Sequence, residues 1–126
     1  MHMCCGYPSE LNSTDYPKAD RQAYFDLAEA VDRSSIDQVS IEDAHRHNDL
    51  ALLEKFKNTT VLLGVVNIAN TRVETVEEIR ERLRAACNHI DKERIIAAPD
   101  CGLAMLEREL VVQKMKNMSE AAHSIE

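Results

Sequence analysis

The stretch Thr59-Thr60-Val61-Leu62-Leu63-Gly64-Val65-Val66-Asn67-Ile68 is almost unbroken apolar sequence, rich in β-branched residues and followed, after Ala69, by polar Asn70, Thr71 and Arg72. Such a run fits a strand buried on both faces, as in parallel sheets covered by helices. Just downstream, Thr75 and Glu78 have the spacing of a capping box, and Val76, Ile79, Leu83, Ala86, Cys87 and Ile90 recur at helical period. Arg94 to Ala98 (RIIAA) reads as a further strand stopped by Pro99, and a last helix is predicted from about Ala104 to Ala122. Its inner stripe would be Leu106, Leu110, Val111, Met115 and Met118.

Upstream of the central run, Asp37 to Glu42 (DQVSIE) alternates, with Val39 and Ile41 on one face, and predicts a short strand. Between the two strands a helix is expected over 45–57, carrying Leu50, Leu52, Leu53 and Phe56, with the AHRHND stretch supplying caps. A helix over 21–34 is expected before them, with Ala23, Leu27, Ala30 and Val31 as its apolar set and Tyr24 and Phe25 alongside. The first twenty residues have loop composition after a very short apolar stub. Strand and helix thus alternate strictly, which predicts an α/β fold with parallel strands and right-handed crossovers. No Gly-rich phosphate fingerprint follows any strand, so a barrel segment fits better than a dinucleotide fold.

The chain has 126 residues, 15 Lys plus Arg against 22 Asp plus Glu, and a formal charge of −7. That balance argues against a nucleic-acid footprint, which needs clustered cations to neutralise phosphates. There is no apolar run long enough to span a membrane and no basic segment leading into an apolar one, so no membrane span and a cytoplasmic location are expected. Four cysteines (Cys4, Cys5, Cys87, Cys101) in such a chain suggest metal or catalytic use rather than disulfides.

In parallel α/β folds functional groups gather at the carboxyl ends of the strands. The stub ends in His2, Cys4 and Cys5, the second strand in Glu42, Asp43 and His45, the third at Asn67, and the fourth runs into Asp100 and Cys101. His2 and Cys4 project from one face of an extended chain, so one cation can touch both. With Glu42 and Cys101 they make an imidazole, two thiolates and a carboxylate, a set suited to tetrahedral Zn²⁺. His45 or His47 could replace Glu42; otherwise both are capping or surface groups. Such a site points to alkyl transfer onto the sulfur of a thiol substrate, which loses its proton when it meets the metal. Cys87 reads as a core residue, and the charged run VETVEEIRERLRAA as a solvated helix face with i,i+4 pairs.

The combination of HMC near the start, VSIEDA, LLGVVNI and above all APDCGL, followed by a helix ending KMKNMSEAA, resembles the carboxyl-terminal catalytic domain of cobalamin-independent methionine synthase and its short single-barrel relatives. The resemblance implies a TIM-type (β/α)₈ barrel in which zinc is held by residues matching His2, Cys4, Glu42 and Cys101. It implies transfer of a methyl group from a 5-methyltetrahydrofolate-type donor to the thiol of homocysteine, giving methionine; Asp100, next to Cys101, is expected only to support the site by shaping it or by hydrogen bonding. Relatives that transfer from epoxides to coenzyme M imply an alternative donor and thiol. The sequence departs from the synthases at Ala69, where they carry a proton-donating His; either another acid works here or the donor is not the usual folate.

A complete barrel of this type needs about 250 residues, so the chain is expected to be the carboxyl-terminal half, one truncated domain over 1–126 with about four βα units. Such a half is expected to be inactive alone. Its open edges favour a homo-oligomer, a complementing half-barrel, or a non-catalytic fragment that pairs with a partner.

Overall fold

The structure is a computed structural model, and it describes residues 1–125. Four strands, β1 (His2–Met3), β2 (Gln38–Ile41), β3 (Thr60–Val66) and β4 (Ile95–Pro99), form one sheet in the order β1-β2-β3-β4. Every neighbouring pair is parallel. Three α-helices, α1 (Gln22–Asp32), α2 (Val76–Ala86) and α3 (Arg108–His123), follow β1, β3 and β4. Among the described residues no helix is long and apolar enough to cross a membrane.

The register places two rows of side chains on opposite faces. Met3, Ile41, Leu63 and Ala97 are aligned partners across the four strands. Ile41 and Leu63 are fully buried, and Met3 and Ala97 pack against the same core. Their neighbours His2, Ser40, Leu62 and Ile96 form the second row and point the other way, because side chains alternate along a strand. Among the described residues no helix covers this second face: Ile96 is 42% exposed. The sheet therefore has one buried face and one open one, with β1 and β4 as free edges.

The β3 run owes its burial to α2 and α3, which pack on the covered face through Ile79, Leu83, Ala86, Met118 and Ala121. The expected capping box is present: Thr75 Oγ1 accepts from the Glu78 amide at 3.2 Å, and the Glu78 carboxylate takes the Thr75 amide at 2.8 Å.

Three expectations need correction. Only a 3-10 helix, Leu50–Lys55, stands where a helix over 45–57 is expected. The residues before it are held by hydrogen bonds to strand-end carboxylates, with the amides of Ala44 and His45 on Asp100 and that of Asn48 on Asp43. On α1 the inward face is Tyr24, Ala28 and Val31 rather than the face carrying Leu27, which is half exposed. On α3 the residues fully turned inward are Lys114, Met118 and Ala121, while Leu110, Val111 and Met115 are only partly covered and Leu106 is buried in the preceding turn.

Candidate metal centre at the strand ends

His2, Cys4 and Cys101 come together at the carboxyl end of the sheet. An imidazole nitrogen and the two Sγ atoms all lie within 4.8 Å of one another. His2 belongs to the open row, and Cys4, two residues on, keeps to the same side of the chain. Cys101 arrives from the turn after β4. Its separation of 97 positions from Cys4 is closed entirely by the parallel β2 and β3 between them. The His2 Nδ1 and the Ser40 Oγ are 2.5 Å apart, so the ring is pinned to its register partner. One imidazole and two thiols within that span fit a zinc ion. All four cysteines are free thiols.

Glu42 lies beside this cluster and is turned to other partners. Its Oε2 is 2.5 Å from the Lys18 ammonium, and its Oε1 accepts from the Cys5 amide and, at 3.3 Å, from the Tyr24 hydroxyl. The carboxylate is buried, which by itself would raise its pKa; the Lys18 ammonium and the Cys5 amide more than offset this and hold it below the ordinary glutamate range. Cys5 is a buried neighbour whose backbone amide donates to Glu42.

Asp100 ties the loops around the centre together. Its Oδ1 accepts from the amides of Asp43 at 2.8 Å and Ala44 at 2.9 Å, and its Oδ2 accepts from the His45 amide at 2.7 Å and from the Tyr7 hydroxyl. It therefore joins the loop after β1 and the loop after β2 to the residue next to Cys101. Burial pushes the Asp100 carboxyl up against the pull of these four donors. Burial, reinforced by the Asp100 charge, pushes the Tyr7 phenol up too, so Tyr7 remains a donor.

Around Asp100 stands a group the sequence reading did not assemble. His45 is bonded to the Tyr16 hydroxyl through Nε2 and lies 3.1 Å from the Asn67 side-chain nitrogen through Nδ1. The Tyr7 ring meets it edge-on at 5.4 Å. His45 is thus partly enclosed, not a surface group, whereas His47 is exposed. Ala69 is buried; its amide donates to Asn67 Oδ1 at 2.7 Å and its carbonyl accepts from Asn12 at 2.7 Å. Arg82, read as part of a solvated face, instead grips Asp43 with two nitrogens at 2.6 and 2.8 Å. Aromatic and charged residues inside the loop sequence CCGYPSELNSTDYPKAD were the available signal, but nothing local says which strand end that loop covers.

Residues 19–124 match the family described as cobalamin-independent synthase, catalytic domain. A methionine synthase of Pyrococcus furiosus is 36% identical over 100 residues, which is 79% of this chain and 30% of that protein. A 5-methyltetrahydropteroyltriglutamate–homocysteine methyltransferase of a Synechococcus species is 32% identical over 102 residues, 79% of this chain and 14% of that protein. The structure of a B12-independent methionine synthase from Shewanella, solved with selenomethionine, superposes with a TM-score of 0.78 at 24% identity, covering 97% of this chain and 36% of that one. The likeness bears out the expected fold, the carboxyl-terminal half of a (β/α)₈ barrel with parallel strands. The chain spans less than a third of the length of these curated relatives.

Proposed function

The chain belongs to the cobalamin-independent synthase catalytic-domain family, and we propose that it is the metal-bearing part of a zinc-dependent methyltransferase acting on the thiol of homocysteine. The carrying observation is the meeting of His2, Cys4 and Cys101 within 4.8 Å. Glu42, one residue past β2 and adjacent to this cluster, is the fourth ligand. Zinc bound there would act as a Lewis acid that favours the thiolate form of the substrate. The chain's own residues do the positioning. Ser40 fixes the His2 ring, and Asp100 with Tyr7 holds the two loops that flank the centre. In the overall reaction a sulfur–methyl bond forms as the bond from the methyl group to N5 of a 5-methyltetrahydrofolate-type donor breaks, and that nitrogen takes a proton. The setting is cytoplasmic, in keeping with four free thiols.

The open row Ser40, Leu62 and Ile96, flanked by the free edges of β1 and β4, is the inner face of an unclosed barrel. An uncovered apolar face with unpaired strand edges recruits further strands. The site is therefore expected to act only once the remaining barrel strands close this face. The experiment is complementation: the zinc-loaded chain is mixed with an amino-terminal half-barrel and methionine formation from homocysteine is followed. Activity in the mixture and in neither half is the expected result; a mixture that binds zinc, associates and still makes no methionine would refute the assignment.

One observation favours a second reading of the donor. Ala69 is buried and brings no proton to its turn, a departure that leaves room for a donor other than the folate, such as an epoxide opened by coenzyme M, whose alkoxide, like N5, would take its proton from another acid. A screen of both donors against both thiols in the complemented protein separates the two.

A further inference from the structure

Lys18 stands where it competes for Glu42. Its ammonium lies 2.5 Å from Oε2, while Oε1 is taken by the Cys5 amide and by Tyr24, so both oxygens are satisfied from within the chain. The two side chains are 9% and 2% exposed, which leaves little room for water to take either partner's place. Lys18 also has other company. The Gly6 carbonyl accepts from it at 2.9 Å, and the Tyr7 and Tyr16 rings lie 4.5 and 5.9 Å from it. A carbonyl and two aromatic faces can hold an ammonium after its carboxylate partner has gone.

We propose that Lys18 is an internal competitor for Glu42: the ion pair keeps the carboxylate off the metal centre, and metal entry transfers Glu42 from Lys18 to the metal while the ammonium stays in its Gly6–Tyr7–Tyr16 cage. The proposal rests on the zinc reading of His2, Cys4 and Cys101. Those three residues carry the charge of two thiolates, which neutralises a divalent cation and leaves a fourth position for the carboxylate. Metal affinity then depends on a residue that never touches the metal. Without the ammonium, a buried carboxylate has no cation until the metal arrives, and binding gains what the ion pair formerly withheld.

The test is a competitive titration of the purified full chain with Zn²⁺ or Co²⁺ against a chelator, for wild type, Lys18→Met, Lys18→Arg, Glu42→Gln and the double variant Lys18→Met/Glu42→Gln. Lys18→Met is expected to tighten binding about tenfold or more, the scale of one charged hydrogen bond. Lys18→Arg keeps the charge and is expected to stay near wild type. Glu42→Gln is expected to weaken binding, and in that background Lys18→Met changes nothing, because the competitor has lost its target. Circular dichroism checks folding, and Lys18→Gln replaces Lys18→Met should the latter unfold. Unchanged or weaker binding without the ammonium, or a gain that persists without Glu42, overturns the exchange and leaves the metal site standing. A wild-type chain that binds neither metal overturns both.

Discussion

A Cβ on Gly64 would lie 2.0 Å from Oδ1 of Asp100 and 2.9 Å from its Cα. Gly64 sits in β3 opposite Ala98, on the same face as the metal residues, and its missing side chain is the space the Asp100 carboxylate occupies. The glycine is required by close approach rather than by backbone conformation. Gly64→Ala must push Asp100 off the amides of Asp43, Ala44 and His45, or push β3 and β4 apart. We expect a loss of about 2–3 kcal/mol in urea unfolding, the range for overpacking a filled interior. A variant within about 0.5 kcal/mol of wild type, the ordinary scatter of surface changes, would show that the carboxylate has room to move.

The strand that contains Gly64 was legible because a parallel strand covered on its flanks needs little more than an apolar, β-branched run. The capping box at Thr75 and Glu78 was legible for a similar reason, being a local device with a fixed spacing. Gathering His2, Cys4 and Cys101 was within reach of sequence reasoning because topology alone sends strand ends to one rim. The partners of Glu42 were not, since nothing near position 42 names Lys18. The burial of Lys114 was not legible for a different reason. Helical periodicity sorts residues by apolarity, and a lysine that finds a buried carboxylate breaks that sorting.

Lys114 is fully buried, with its ammonium 3.0 and 3.2 Å from the Glu74 carboxylate oxygens and 3.0 Å from the Asn67 carbonyl. The same carboxylate accepts the Asn67 amide at 2.9 Å, so α3, the turn after β3 and the segment leading into α2 share one knot. Lys114→Ala strands a buried carboxylate and is expected to cost about 3–5 kcal/mol. The double variant Lys114→Met/Glu74→Gln removes both charges and should recover more than half of that loss. Equal losses in the single and double variants would mean that the fold needs the lysine for its shape rather than its charge.

Asp32 closes α1 onto the start of β3. Its Oδ1 accepts from the amides of Asn58 and Thr59, both at 2.8 Å, and its Oδ2 from the Asn58 side chain at 3.0 Å. Partial burial raises its pKa, but the amides of Asn58, Thr59 and Lys57 together draw it well below the ordinary aspartate range. A depressed carboxylate contributes its stability above the unfolded value of about 3.9 and loses it as pH falls from there toward the folded value. Unfolding free energy measured from pH 6 downward should therefore fall below about pH 4 more steeply in wild type than in Asp32→Asn. Parallel curves would remove Asp32 from the acid response.

Ser40 tests the metal centre without being a ligand itself. Its hydroxyl holds His2 Nδ1, and groups that orient a metal-bound imidazole are worth about 10–100-fold in affinity. Ser40→Ala should weaken zinc binding within that range and leave thermal unfolding of the metal-free protein nearly unchanged. A drop in thermal stability with unaltered affinity would make Ser40 a packing residue.

The most direct measurement is zinc per chain, by elemental analysis of size-selected, dialysed protein, for wild type and for Cys101→Ser. Cys101 is the ligand that must arrive from the far side of the sheet, so its thiol reports whether β4 delivers the turn to His2 and Cys4. About one zinc per wild-type chain and close to none in Cys101→Ser is the expected result, since a structural or catalytic zinc rarely survives loss of one of its thiolates. Equal zinc in the two proteins, or none in either, would contradict a metal centre built from these strand ends.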